Sequence, residues 1–312
     1  MNRRLPAEWE PQDAVLLVQP QKGMDWDYCL EGARATFSNI RKTIERFQPV
    51  IMVEDLKCND TWARDIGPIT IEEDGKPLLL DFQFNGWGGK FPHDLDNTLT
   101  KRLHNLGIFS KTELRGINLV LEGGSIESDG EGTLLTTSTC LLNENRNPNL
   151  SKEEIKAELT AQFGLSNILW LENGHLAGDD TDAHIDTLAR LAPEKTILYV
   201  SCTDQEDEHY EIFQALENEL KTFDGYRLLP LPWPSPKFDG KRRLPATYAN
   251  YLVINGAVLV PTYNDPADVQ ALETIGKAFP GREIIGIDCS TLIRQGGSLH
   301  CVTMQIPKGV MP

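Results

Sequence analysis

Short runs of β-branched and alternating apolar residues punctuate the chain, each pair of runs bracketing a turn signal. The clearest pair is Tyr251-Leu252-Val253-Ile254 and Ala257-Val258-Leu259-Val260-Pro261 about Asn255-Gly256, a dipeptide that favours the tight turn of a β-hairpin. The same reading gives hairpins over residues 64–84, turning at Asp74-Gly75, over 123–140 around Asp129-Gly130-Glu131-Gly132, and over 184–202 at Ala192-Pro193-Glu194-Lys195. A fifth unit is assembled from the chain ends, with Leu299 to Ile306 as one strand and Ala14-Val15-Leu16-Leu17-Val18 as its neighbour, which would tie both termini down.

Between the hairpins, helices are expected at about 31–47, 94–106, 151–163, 207–222 and 266–279. Several open on an Asp or Ser cap, as in the capping box of Ser151-Lys152-Glu153-Glu154. A hairpin-plus-helix unit that returns about every 50 to 65 residues suits a propeller-like array better than a doubly wound sheet. Residues 1–312 therefore read as one α/β domain. Two separate α/β domains would need a linker, and the only proline-rich stretch, Leu229 to Pro245, reads as a lid or active-site loop instead.

Composition and charge narrow the function. Hydrophobic residues at 40% and charged residues at 24% allow a large buried core. The formal charge of -16 repels nucleic-acid phosphates and anionic lipid and favours small cations, with Lys241-Arg242-Arg243 as the one basic run. Met1 to Trp9 lacks the apolar stretch of a secretory signal, and no run of about 18 apolar residues occurs, so a cytoplasmic protein without a membrane span is expected. The six cysteines (Cys29, Cys58, Cys140, Cys202, Cys289 and Cys301) are scattered without paired spacing and read as reduced thiols.

Reactive side chains fall at one recurring place, the entry to each hairpin's first strand. Asp65 follows Trp62-Ala63-Arg64, Glu122 precedes Gly123-Gly124-Ser125, His184-Ile185-Asp186 opens the third unit, and Cys301 follows Gly296-Gly297 in the last. The fourth unit offers only Ala249-Asn250 there, with no ionisable group. Singly, each has an ordinary explanation: Asp65 paired with Arg64, Glu122 in a turn, His184 in the core, Cys301 as a small buried hydrophobe. Together, a cysteine, a histidine and three carboxylates at equivalent repeat positions make a coherent set for nucleophilic catalysis. On a strand, His184 and Asp186 would share a face, while His300 would face away from Cys301 and be structural.

The chain resembles the agmatine deiminase and bacterial-type peptidylarginine deiminase family nearly end to end. The resemblance lies in Leu5-Pro6-Ala7-Glu8-Trp9, Trp62-Ala63-Arg64-Asp65-Ile66-Gly67-Pro68, Phe84-Asn85-Gly86-Trp87-Gly88-Gly89-Lys90, Leu121-Glu122-Gly123-Gly124-Ser125 and Leu141-Leu142-Asn143-Glu144-Asn145-Arg146-Asn147-Pro148. It continues through Gly178-Asp179-Asp180-Thr181-Asp182-Ala183-His184-Ile185-Asp186, Leu244-Pro245-Ala246-Thr247-Tyr248-Ala249-Asn250-Tyr251 and Gly296-Gly297-Ser298-Leu299-His300-Cys301. The resemblance implies a five-bladed α/β propeller with pseudo-fivefold symmetry, a homodimer, and no metal or other cofactor. It implies hydrolysis of a small cationic guanidino substrate, agmatine giving N-carbamoylputrescine and ammonia in polyamine (putrescine) biosynthesis. It casts Cys301 as nucleophile, His184 as general acid/base and Asp65, Glu122 and Asp186 as acidic ligands, with Trp62, Trp87, Asp180 and Gly297 at the substrate. Ala183 stands where the family often has glycine, and Ser298 where it often has a third glycine.

A guanidinium is planar, delocalised and always protonated near neutral pH, so carboxylates such as Asp65 and Asp186 suit its bidentate grip. Attack needs a thiolate, which free cysteine with a pKa of about 8.5 supplies poorly at neutral pH. Protonated His184 or the bound guanidinium itself would supply the assisting charge, and the sequence leaves both open. Free arginine and peptidyl arginine present the same reacting group. The missing export signal favours a small cytosolic metabolite. Two other classes compete: a divalent-metal hydrolase using His175, His184, Asp186, Asp179 and Asp180, and a non-catalytic guanidine-binding protein.

Overall fold

The structure is a computed structural model that describes residues 2–109 and 111–311. It is a mixed α/β fold of several small sheets, and among the described residues five of six sheets repeat one connectivity. An antiparallel hairpin is followed by a helix, and a further strand then returns parallel to the hairpin's second strand. The hairpin Ile69–Glu73 and Lys76–Gln83 takes Glu113–Val120 in this way, and Ile126–Ser128 with Thr133–Thr137 takes Asn167–Leu171. Ala189–Ala192 with Thr196–Val200 takes Arg227–Leu231, and Leu252–Ile254 with Ala257–Thr262 takes Glu283–Asp288.

The last sheet comes from the two chain ends. Thr303–Pro307 pairs antiparallel with Gln12–Val18, placing Thr303 opposite Leu17, and Val50–Val53 runs parallel on the far side. The expected hairpins are all formed, but the returning strands were not separable from the helices before them. The reason is their patterning: Arg227–Leu231 and Asn167–Leu171 are partly exposed along most of their length and show neither a clean alternation nor a continuous apolar run.

Local chemistry fixes the helices. In Leu30–Ile44, Ala33, Phe37, Ile40 and Ile44 recur at helical spacing and are buried as one stripe. Lys152–Phe163 begins with both halves of the Ser151/Glu154 capping box and ends at left-handed Gly164, where a Cβ would lie 1.9 Å from the Arg3 carbonyl oxygen. The proline-rich segment is partly regular: after Arg227–Leu231 it forms a small hairpin of Lys237–Asp239 and Arg242–Leu244.

None of the reactive residues lies on a strand, contrary to the sequence reading. Asp65 sits in the one-turn helix Ala63–Ile66, Asp186 in the tight turn Ile185–Thr187 with His184 just before it, and Cys301 in the turn ahead of Thr303. At these places the chain bends sharply into a buried strand, and the bends of neighbouring units touch. A Cβ on Gly123 would fall 2.2 Å from the Arg64 carbonyl oxygen, so glycine is needed for that approach.

Behind these turns lies a buried ionic cluster. Arg190 Nη2 donates to Glu8 Oε2 (2.9 Å) and its Nε to Glu127 Oε2 (2.9 Å), while its Nη1 donates to the Tyr251 (2.6 Å) and Ala249 (3.3 Å) carbonyls. Glu8 also accepts from the Val253 backbone N–H at 2.7 Å and lies 3.6 Å from Arg64 Nη2. A charge taken out of water is tolerated only when paired and hydrogen-bonded. Arg190→Leu would leave Glu8 and Glu127 buried without their shared cation, and urea denaturation should report a loss of about 3–5 kcal/mol. Removing one exposed helix cap by Ser151→Ala should cost only about 1 kcal/mol. Equal losses for the two variants would deny the cluster its structural role.

Candidate active site

The turns of the first, third and last units meet at one cavity, and Cys301, Asp65, Trp62, Trp87, Asp180 and Gly297 all line it. His184, Glu122 and Asp186 stand just behind this lining and are completely buried. Gly124 is the point around which they gather. A Cβ there would lie 2.6 Å from His184 Nδ1, 2.9 Å from Asp65 Oδ1 and 3.2 Å from Asp186 Oδ2.

Each reactive group is oriented by named partners. Cys301 Sγ lies 3.6 Å from Asp186 Oδ2 and 3.2 Å from Asn250 Nδ2. Asn250 Oδ1 in turn accepts from the His300 (2.9 Å) and Cys301 (3.3 Å) backbone N–H groups, pinning the turn that carries the thiol. Asp65 Oδ1 accepts from Gly124 N–H and Asp65 Oδ2 from Trp87 Nε1, both at 3.0 Å. Trp87 reaches there from a left-handed backbone (φ 55°), a strained conformation for a bulky residue. Trp62 is fixed by Asp60, which also accepts from Trp26 Nε1 and whose pKa burial raises to about 6.

The carboxylates differ in what balances them. Arg146 Nε lies 3.0 Å from both Glu122 oxygens, and Arg146 also donates to Asp182 and to the Thr181 carbonyl. Glu122 is thus engaged within the protein and faces His184 and Cys140 rather than the cavity. Burial opposes charge on Asp186, but the hydrogen bond and charge of His300 hold its pKa below the usual carboxylate range. Asp65 is raised, chiefly by burial. Asp186 Oδ1 and both His184 ring nitrogens are buried without a hydrogen-bond partner. Buried polar atoms are nearly always satisfied, so unpartnered ones beside a cavity mark the place a polar ligand docks.

Burial alone would keep the His184 ring neutral, yet Asp65, Cys140 and Glu122 around it overcome that and hold its pKa up at about 10. The Cys301 thiol moves the other way from a reactive thiolate. Burial pushes it well above the ordinary range, and the charges of Asp186 and Asp65 push it further. Without a cation in the cavity, the sulfur is a protonated thiol facing two carboxylates.

Several participants escaped the sequence reading. Asn250 occupies the fourth unit's equivalent position, and being neutral it gave no titratable signal. His300, expected to face away, is buried instead between Asp186 (Nδ1 to Oδ2, 2.8 Å) and Glu8 (Nε2 to Oε2, 2.6 Å), because residues 299–302 turn rather than extend. Arg146 and Glu8 lay within stretches that carry the resemblance and Cys140 just ahead of one, but none of the three carried a spacing signal. Ala183 has φ 66°, a left-handed value that favours glycine, so the departure noted in the sequence introduces modest strain beside His184.

The metal-hydrolase reading finds little here. Among the described residues, one group of potential ligands gathers within 4.8 Å, namely Glu122, Cys140 and His184. It includes none of His175, Asp179, Asp180 or Asp186, and the Arg146 guanidinium already occupies the Glu122 carboxylate. His175 is exposed.

A Cβ on Gly297 would press 2.4 Å into the Trp62 ring. Gly297→Ala should therefore push Trp62 into the cavity and cut any turnover at Cys301 by about 100-fold, the scale expected of a 1 Å misplacement. Thermal denaturation should show the fold intact. A fully active variant would mean that the Trp62 wall is unimportant.

A sequence model of the Porphyromonas-type peptidyl-arginine deiminase family matches residues 4–307. An agmatine deiminase of Pseudomonas aeruginosa (strain LESB58) is 33% identical, covering 97% of this chain and 95% of its own. The structure of the C315S agmatine deiminase of C. jejuni with substrate bound superposes with a TM-score of 0.95 at 43% identity, over 98% of this chain and 97% of that one. A structure called "Putative Arginine Deiminase", from Porphyromonas gingivalis, gives a TM-score of 0.95 at 47% identity over 100% of both chains. The chain belongs to the Porphyromonas-type peptidyl-arginine deiminase family.

Proposed function

We propose that this protein hydrolyses agmatine to N-carbamoylputrescine and ammonia, with Cys301 as nucleophile. The observation that carries the substrate is the charge of the cavity wall, where Asp25, Asp60, Asp65, Asp179 and Asp180 face a single cation, Arg242. A dication with a guanidinium at one end and an ammonium at the other suits five carboxylates. Free arginine would bring a carboxylate into the same field and be repelled. The agmatine deiminases of P. aeruginosa and C. jejuni support the same substrate.

Chemistry follows from the orphaned charges. The guanidinium docks between Asp65 and the free Oδ1 of Asp186, which places its central carbon over Sγ. Its positive charge reverses the field at the sulfur, and the thiol releases its proton to solvent as the guanidinium seats, leaving a thiolate 3.6 Å from the still-ionised Asp186. Activation by the substrate is favoured over activation by His184, because the groups that act on the thiol are Asp186 and Asp65. Sulfur then adds to the carbon, the imidazolium of His184 protonates the departing nitrogen, and a thiouronium remains on Cys301. Neutral His184 next takes a proton from water as its oxygen adds to the carbon. Collapse of that adduct forms the ureido carbonyl and frees its hydroxyl proton, which restores the thiol. Ammonia takes up from solvent the proton that the thiol released and leaves as ammonium.

The reading extends to architecture and setting. Five hairpin-helix-strand units of one connectivity support a five-bladed, pseudo-fivefold propeller formed by a single domain. The family resemblance supports a cytoplasmic homodimer in putrescine synthesis with no cofactor.

Ammonia release from agmatine, free arginine and a peptidyl arginine, compared side by side, tests the substrate. Agmatine should lead by at least about 100-fold, and a preference for either arginine form would overturn the assignment. Cys301→Ser should lose turnover yet still bind agmatine. The His184 imidazolium is present below its raised pKa, so kcat/KM should fall as pH rises through about 10. A rate that stays level across that pH would remove His184 as the acid.

A further inference from the structure

Glu8 lies at the start of the chain, outside the cavity, yet its carboxylate ends on the far side of the imidazole that holds Asp186. His300 Nε2 sits 2.6 Å from Glu8 Oε2 and His300 Nδ1 sits 2.8 Å from Asp186 Oδ2, and all three side chains are buried. Glu8 is a carboxylate because two guanidinium groups face it, Arg190 Nη2 at 2.9 Å and Arg64 Nη2 at 3.6 Å, and Asp186 presents its Oδ2 to the ring as an acceptor. An ionised carboxylate only accepts, so each ring nitrogen has to donate, and a ring with two N–H donors is an imidazolium.

We propose that Glu8 is a positioning residue of the deimination. Acting through His300, it fixes the Asp186 carboxylate with Oδ2 toward the ring and Oδ1 free for the guanidinium. The proposal rests on the deiminase reading for its kinetic consequence only. Without Glu8 the ring loses its second acceptor, can discard a proton and rotate, and releases the carboxylate that aligns substrate with sulfur. Other groups around the chain of three do not substitute for it. Arg190 and Arg64 are cations on the Glu8 side, Glu127 is engaged by Arg190, and the remaining titratable neighbours of Asp186 are Cys301, His184 and Asp65, none of which reaches the far nitrogen of the His300 ring. Glu8 Oε1 independently accepts the Val253 N–H, which anchors the carboxylate so that its other oxygen meets the ring.

Two variants and one spectrum test this. Glu8→Gln keeps the shape and an acceptor for Val253. His300→Asn keeps a donor near Asp186 and severs the link to Glu8. In each, kcat for agmatine should fall about 10- to 100-fold with KM changed less than about 3-fold, and the double variant should fall no further than the worse single one. Nuclear magnetic resonance of ¹⁵N-histidine-labelled native enzyme should show a proton on both His300 ring nitrogens, with the Nε2 proton lost in Glu8→Gln. Native kcat in Glu8→Gln, multiplicative losses in the double variant, or a His300 ring with one bare nitrogen would each overturn the proposal. If neither variant folds, the native spectrum decides. If the native enzyme releases no ammonia from agmatine, the deiminase reading fails, and the spectrum still judges the Glu8 link.

Discussion

The structure depends on one buried arrangement of charge, the pairing of Glu8 with Arg190 where all the repeating units meet. The third unit contributes Arg190 itself, the second Glu127, the first Arg64, the fourth the Ala249 and Tyr251 carbonyls, and the last His300. Glu8 arrives on the segment that leads into Gln12–Val18 and receives the contacts of four of them. Such a cluster adds little net stability over an apolar core of the same volume, because desolvation offsets most of the attraction. Its contribution is specificity: no single unit can satisfy its own charge, so the charges are satisfied only when the units assemble in the observed order.

The same arrangement sets up the reactive side. Glu122 is matched by Arg146 and the Oδ2 of Asp186 by His300, whereas Asp65 receives only the neutral donors Gly124 N–H and Trp87 Nε1, with His184 at 3.7 Å. Negative charge is therefore left over at Asp65 and at the free oxygen of Asp186, on either side of the sulfur. On the proposed function that surplus is the binding site for a planar cation, held in place by groups already fixed by folding.

Sequence legibility followed the range of the interactions. Hairpins and helices are set by neighbours within a few residues, and Asp74-Gly75, with φ values of 49° and 78°, or the Ser151 capping box could be read directly. The set of reactive residues was legible because the repeat places them at equivalent positions. Their backbone was not. Cys301 and Asp186 were assigned to strands because they adjoin strands, and the turns that hold them are imposed by contacts between units. The same error sent His300 outward, when its two partners lie 114 and 292 residues away. Asn250 shows the limit of searching for titratable groups, since an amide that donates to sulfur and accepts from two N–H groups leaves no trace in a charge pattern.

A protonated resting thiol does not set Cys301 apart from the other buried cysteines; its surroundings do. Burial raises Cys58, Cys140, Cys202 and Cys289 as well, so a raised pKa does not mark a nucleophile. Cys301 alone among them lines the cavity that Asp65 also lines, and it alone lies within 3.6 Å of Asp186. Its reactivity is then conditional on occupancy: anions and neutral molecules leave two carboxylates beside the sulfur, and only a cation delivered to that spot lowers the cost of thiolate. In the proposed deimination a guanidinium satisfies the condition with the atom to be attacked, so the group that switches Cys301 on is also the one it consumes. Selectivity and activation are in this way two results of the same unmatched charge.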